Sequence, residues 1–165
     1  MLTIRLTMNK TLIIFSILLT LTTCSVEQEQ SDSANDTRTI IQKNLLEFAA
    51  YAKAKNSDSM LSMFDSSDDI MLVGSDSSEI KHGRREIKDL LQGTLSKPYI
   101  INWDFTHADI FTSNQVAWAF VNSSVMLQNE DGSEIRVPYR LTTVWVKNGE
   151  NWKLKFFNGS IPGKG

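Results

Sequence analysis

Few side chains in this chain could do chemistry, and most of them lie in its second half. Asp104 sits between Trp103 and Phe105 in the run Ile101-Asn-Trp-Asp-Phe-Thr106. A carboxylate in the middle of such a strand must be solvated, paired or functional, and in the last case it could act as a general base beside a carbonyl. Its parity with Asn102 and Thr106 equally suits a solvent face. Tyr51 could donate a phenolic hydrogen bond to a developing oxyanion, or line the core with its hydroxyl at the edge. Arg140 also falls mid-strand. A buried arginine needs a carboxylate, from a ligand or from Glu47 or Asp104. Trp103 and Trp118 could wall a pocket for a flat apolar molecule, although core packing explains such residues equally well. His82 and His107 are the only histidines, far apart and in no ligand pattern, so they read as turn or solvent residues. Asp65, Asp68 and Asp69 form an acidic cluster that reads as a solvated turn, because no calcium-loop spacing accompanies them. Cys24 is the single cysteine, so an intrachain disulfide and a cysteine zinc site are both excluded. No metal and no cofactor is expected.

These residues depend on a predicted hairpin. Its first arm, 135–147, is rich in β-branched and aromatic residues. The link Asn148-Gly-Glu-Asn151 reads as a turn in which Asn148 and Gly149 tolerate positive φ. In the second arm strict alternation puts Trp152, Leu154 and Phe156 on one face, which Asn158 and Ser160 continue. A face that is apolar at the turn end and hydrogen-bonding at the far end suits a ligand pocket. A strand leaving the core would look the same.

Upstream, Asn35 and Asp36 are good N-caps for an amphipathic helix over 37–55. Its stripe is Ile40, Ile41, Leu45, Phe48, Ala49 and Ala52, widened by Leu46 and Tyr51. A short helix over 59–64, a buried strand over 70–73 and a third helix over 84–92 follow. The alternation from Tyr99 to Phe111 predicts one strand, with Ile101, Trp103 and Phe105 on one face. Ser113-Asn114 turns the chain into a strand over 115–127, and Asn129-Glu-Asp-Gly132 leads into the hairpin. Helices segregated from an antiparallel meander imply an α+β fold.

The 165 residues suffice for one domain with a real core. Charges of both signs are mixed, with a formal net charge of -2. No basic stripe is present, so nucleic-acid binding is disfavoured. Residues 1–23 are read apart from the fold. Arg5 and Lys10 precede the apolar run from Thr11 to Leu21, which is short for a membrane span and has the layout of a secretory signal. Met8 is a second possible start. Ending in Leu21-Thr-Thr-Cys24, this segment resembles a bacterial lipoprotein signal, although threonine before the cysteine is unusual. The resemblance implies lipidation of Cys24 and a place in the cell envelope, with membrane contact through a lipid anchor only. Residues 24–36 are polar and read as a flexible tether.

The order of pieces from the long helix through Gly83-Arg-Arg-Glu-Ile87, Tyr139-Arg-Leu-Thr-Thr-Val144, Trp152-Lys-Leu154 and Asn158-Gly-Ser-Ile-Pro162 resembles the SnoaL-like branch of the nuclear transport factor 2-like superfamily. The likeness covers roughly 38 to 162, within a domain taken as 37–162. It implies a cone-shaped α+β barrel, its curved sheet wrapped around the long helix, and often a homodimer formed through the sheet. Relatives often carry histidine where this chain has Asn158, so a titrating imidazole is missing there. The superfamily contains isomerases, cyclases, dehydratases and non-catalytic binders, and a shared fold does not fix the reaction. The expected function is binding of a small apolar or amphipathic molecule in the cone, with Tyr51, Trp103, Trp118, Arg140, Asn158 and Ser160 as contacts. The alternatives are an isomerase, cyclase or dehydratase using Asp104 as base with Tyr51 or Arg140 as its electrophilic partner, and a structural dimerisation module with a filled cone.

Overall fold

The structure, a computed structural model, describes residues 33–163. The expected signal segment 1–23, Cys24 and most of the tether lie outside the described residues. The first helix, α1, covers 33–53. Asn35 and Asp36, expected to cap it, are already helical. Ile41, Leu45, Phe48, Ala49 and Ala52 form its buried stripe, while Ile40 and Leu46 are exposed. The spacing of 4, 3, 1 and 3 along that stripe keeps one face of a 3.6-residue helix apolar. Lys55, with φ of 55°, ends this region, and Asn56 caps α2 (Ser57–Met63) by accepting from the Ser59 amide at 3.0 Å.

Two short antiparallel strands follow, β1 (Met71–Val73) and β2 (Ile80–His82), the second of them not foreseen in the sequence. Helix α3 (Gly83–Leu95) starts directly from β2 and buries Ile87, Leu91 and Leu95. Then come β3 (Tyr99–Trp103), β4 (Asp109–Ser113), β5 (Val116–Asn129), β6 (Glu134–Asn148) and β7 (Asn151–Ser160). The single strand expected from Tyr99 to Phe111 is therefore two. Thr106 donates from its amide and hydroxyl to the Asp104 carboxylate, and this side-chain turn breaks the ladder. The Gln42 amide on α1 holds the displaced Phe105 carbonyl at 2.7 Å.

The seven strands make one curled sheet in the order β2-β1-β7-β6-β5-β3, with β4 beside β3 on the same edge of β5. All neighbours are antiparallel except β1 and β7, which run parallel, Met71 opposite Phe156 and Val73 opposite Asn158. Long β5 and β6 pair over thirteen residues, from Val116–Val146 to Gln128–Glu134. The expectation of an α+β cone holds. Helices cover the concave face, where Phe48 of α1 meets Phe157 of β7 at 5.3 Å and Trp103 of β3 at 6.0 Å, ring centre to ring centre.

One irregularity sets the inward face of β7. Trp145 pairs with Leu154, but its neighbour Val144 pairs with Phe156, so Lys155 is an extra residue in a β-bulge. Alternation restarts after it. Trp152 and Leu154 are buried before the bulge, Phe157 and Gly159 after it. Phe156, Asn158 and Ser160 therefore leave the face that strict alternation would give them. Lys155 reaches Asp69 and the Ser67 hydroxyl, and lies 3.4 Å from Asp65.

Candidate functional site

Inside the cone lies a cavity of about 290 Å³. Phe48 of α1, Met60 of α2, Leu91 and Leu95 of α3, Ile101 and Trp103 of β3, Tyr139 of β6 and Phe157 of β7 line it. Its mouth carries the polar groups Ser75, Asp76, Glu79 and Lys97. The wall is mostly aromatic and aliphatic, because the inward residues of each strand are apolar by alternation and α1 does not fill the whole width of the sheet.

Two polar groups matter most here, Tyr139 in the wall and Glu79 at the mouth. Tyr139 is 7% exposed and tilts against Trp103 at 6.1 Å between ring centres. No group among the described residues makes a hydrogen bond to its hydroxyl. Among the described residues no sealed side-chain oxygen or nitrogen lacks a partner, so this hydroxyl opens onto the cavity. Burial pushes the phenol above its usual range, and the charge of Glu79 adds to the effect. Tyr139 stays a neutral donor at every physiological pH.

Glycines make room for both groups. A Cβ on Gly159 would meet the Tyr139 hydroxyl oxygen at 1.7 Å, and a Cβ on Gly74 would meet Glu79 Oε2 at 2.1 Å. Gly74 follows Val73 and Gly159 follows Asn158, the last pair of the parallel β1–β7 ladder. The two glycines thus lie side by side one step beyond that ladder. The hydroxyl and the carboxylate therefore come to the same end of the β1–β7 seam, and the charge of Glu79 is felt at the phenol. The two groups make no hydrogen bond to each other. The Glu79 carboxylate is held by the Asp76 amide at 3.2 Å, and the Gly74 amide donates to the Glu79 carbonyl at 2.8 Å.

The residues picked from sequence divide sharply. Trp103 lines the cavity. Tyr51 does not; it borders a shallow outer groove with Glu47, Met63 and Trp152. Asp104 is exposed in the turn after β3, and the hydrogen bonds from Thr106 hold its carboxyl below the ordinary range. Such a group is a weak base and does not line the cone cavity. Trp118 is 40% exposed on the convex face, stacked on Phe111 at 5.7 Å. Arg140, Asn158 and Ser160 come together, but on that same convex face: Arg140 pairs with Ser160 across β6–β7, and Thr142 with Asn158. Arg140 is exposed and makes no ion pair among the described residues, so neither Glu47 nor Asp104 is its partner. The bulge at Lys155 moved Asn158 and Ser160 outward, and Arg140 alternates with the buried Tyr139 and Leu141. His82 and His107 are exposed. The acidic turn is more than a solvated loop: Asp65 is 7% exposed and ties α2 to the sheet.

Sequence reasoning missed Glu79 and passed over Tyr139 as a site residue. Tyr139 was detectable as a tyrosine with the inward parity of Leu141 and Thr143. The contribution of Glu79 depends on a parallel pairing between β1 and β7 that no local pattern reveals.

Solved structures share this fold. A nuclear transport factor 2-like protein from Streptomyces avermitilis, provisionally named a dehydratase, superposes with a TM-score of 0.72 at 12% identity, over 79% of this chain and 99% of that one. A nuclear transport factor 2-like protein of Salmonella enterica serovar Typhimurium gives 0.64 at 17% identity, over 78% and 94%. One from Novosphingobium aromaticivorans, with a cystatin-like fold, gives 0.67 at 11%, over 88% and 92%. At these identities the likeness concerns the fold alone. No curated protein matches the sequence. The family model for the SnoaL-like domain matches residues 41–164, most of the chain, and the protein belongs to that family.

Proposed function

We propose that this protein binds a small, mostly apolar molecule inside its cone, with the polar end of that molecule between the Tyr139 hydroxyl and the Glu79 carboxylate. The observation that carries the reading is the Tyr139 hydroxyl, nearly buried, facing an open apolar cavity and hydrogen-bonded to no group among the described residues. A ligand acceptor bonded to this hydroxyl would contribute about 0.5–1.5 kcal/mol. The test is native mass spectrometry of the purified chain, looking for a co-purified molecule. Retention in the parent and loss in Tyr139→Phe supports the reading. Equal retention in both chains sinks the role given to Tyr139.

A carboxylate near a phenol at the edge of an apolar cavity favours a second reading, in which Glu79 takes a proton next to a carbonyl and Tyr139 holds the enolate oxygen. The dehydratase name given provisionally to a structural neighbour fits this chemistry. Incubation with a small cyclic ketone in heavy water tests it. Loss of the α-proton signal should depend on Glu79, and a rate equal to that of Glu79→Gln retires the idea. Two further parts of the reading rest on other residues. Cys24 anchors the domain by a lipid in a bacterial envelope, and Cys24→Ser should release it from membranes. Two copies pair through the convex sheet face, where Phe111, Val116, Trp118 and Phe120 are each more than a third exposed. A neighbour from Xanthomonas campestris, provisionally named an association domain, is consistent with pairing.

A further inference from the structure

The two polar groups also define the head of the molecule that fits between them. Tyr139 presents a hydrogen, since its phenol stays protonated, so it requires an acceptor. Glu79 presents a carboxylate, so it requires a donor. Tyr139 stands over Gly159 and Glu79 over Gly74, just past the end of the β1–β7 ladder, so both demands fall at one end of the cavity. An alcohol hydroxyl meets both demands with one oxygen. A ketone or ether can accept from Tyr139 but leaves Glu79 unmatched, and a carboxylate is repelled by it. The cavity bounds the remainder of the molecule: at about 290 Å³ it equals the liquid volume of about ten waters. Phe48, Trp103, Phe157 and Leu91 supply apolar wall, and Ser75, Asp76, Thr94 and Lys97 are the other polar side chains of the lining. A body of one ring or a short branched chain fits.

Resting on the cavity-binding reading above, we propose that the site is selective for small apolar alcohols of about ten non-hydrogen atoms, with the hydroxyl bridging Tyr139 and Glu79. Three related probes of similar size test this on the full chain by titration calorimetry: 2-phenylethanol, its methyl ether, and ethylbenzene. The alcohol should bind about tenfold or more tightly than either of the others, because a site built for a hydroxyl penalises a ligand that leaves its groups unpaired. Glu79→Ala should remove the preference for alcohol over ether, and Tyr139→Phe should weaken alcohol and ether while sparing ethylbenzene. Circular dichroism of both variants checks that they are folded. Equal affinity for all three probes in the parent chain overturns the alcohol assignment and leaves cavity binding standing. Failure of all three to bind overturns both.

Discussion

Gly159→Ala is the sharpest probe of how the site is built. Gly159 is buried in β7 and is not among the glycines with positive φ, so alanine fits its backbone. In an ordinary strand the change would help by about 0.5–1 kcal/mol, through reduced chain entropy. Here the new methyl would sit 1.7 Å from the Tyr139 oxygen and 2.6 Å from Cζ. Ordinary contact begins near 3.4 Å, so the phenol must retreat by about 1.7 Å. Trp103 stands against the ring and limits where it can go. Overpacking of this kind costs about 1–3 kcal/mol, so the net loss should be about 1–2 kcal/mol. For a domain of this size that is a fall in Tm of roughly 3–10 °C.

The assay is a double-mutant cycle with Tyr139→Leu, which removes the ring and hydroxyl that the new methyl would strike. In that background Gly159→Ala should be neutral or slightly stabilising. The two substitutions should then couple by about 2 kcal/mol, well above what independent sites show. Urea unfolding followed by tryptophan fluorescence measures all four chains. Equal costs of Gly159→Ala in both backgrounds would refute the placement of Tyr139 over this glycine, and with it the geometry of the cavity end.

Other outcomes follow from the same structure. Asp65→Ala should destabilise the chain by about 2–4 kcal/mol in denaturant titrations, since it removes bonds to Ser67 and Asn148 and leaves Lys155 short of a partner. The bonds from Ser67 hold the Asp65 carboxyl well below its ordinary range, with Asn148 and Lys155 adding to them. A depressed carboxyl stabilises the fold above its unfolded pKa, so this contribution is full at neutral pH and fades as pH falls below about 4; Asp65→Asn should flatten the acid limb of a Tm-against-pH curve. Trp118→Glu should shift a dimer to monomer in analytical ultracentrifugation with little change in Tm, and an unchanged sedimentation coefficient would remove the convex face as the interface.

The sequence showed the large elements plainly, because each carried its own periodicity. The stripe from Ile41 to Ala52 marked a helix. The β-branched run from Val137 to Val146 and the Gly149 turn, with φ of 59°, marked the main hairpin. Two local events were not legible. The Asp104–Thr106 turn splits an alternating run that looks continuous, and the Lys155 bulge reverses the facing of everything after it. Each changes the chain by one side-chain bond or one residue, and a period-two argument has no term for either.

The bulge also explains why the site lies where it does. Without Lys155 as an extra residue, Phe156, Asn158 and Ser160 would face the cone and Gly159 would face outward. A polar pair would then line the inner wall, and the Tyr139 hydroxyl would have no glycine above which to sit. With the bulge, Phe157 closes the apolar wall and Gly159 leaves the gap that Tyr139 occupies. The bulged residue is itself fixed from outside, by Asp65, Asp69 and Ser67. The acidic turn that looked like a mere solvated loop therefore helps to set the register of the strand that shapes the cavity. If so, loosening that turn should alter ligand affinity as well as stability. Asp65→Asn, measured at neutral pH where the fold persists, should weaken binding of 2-phenylethanol although Asp65 lies outside the cavity wall; unchanged affinity at reduced stability would show that the bulge holds its register without the acidic turn.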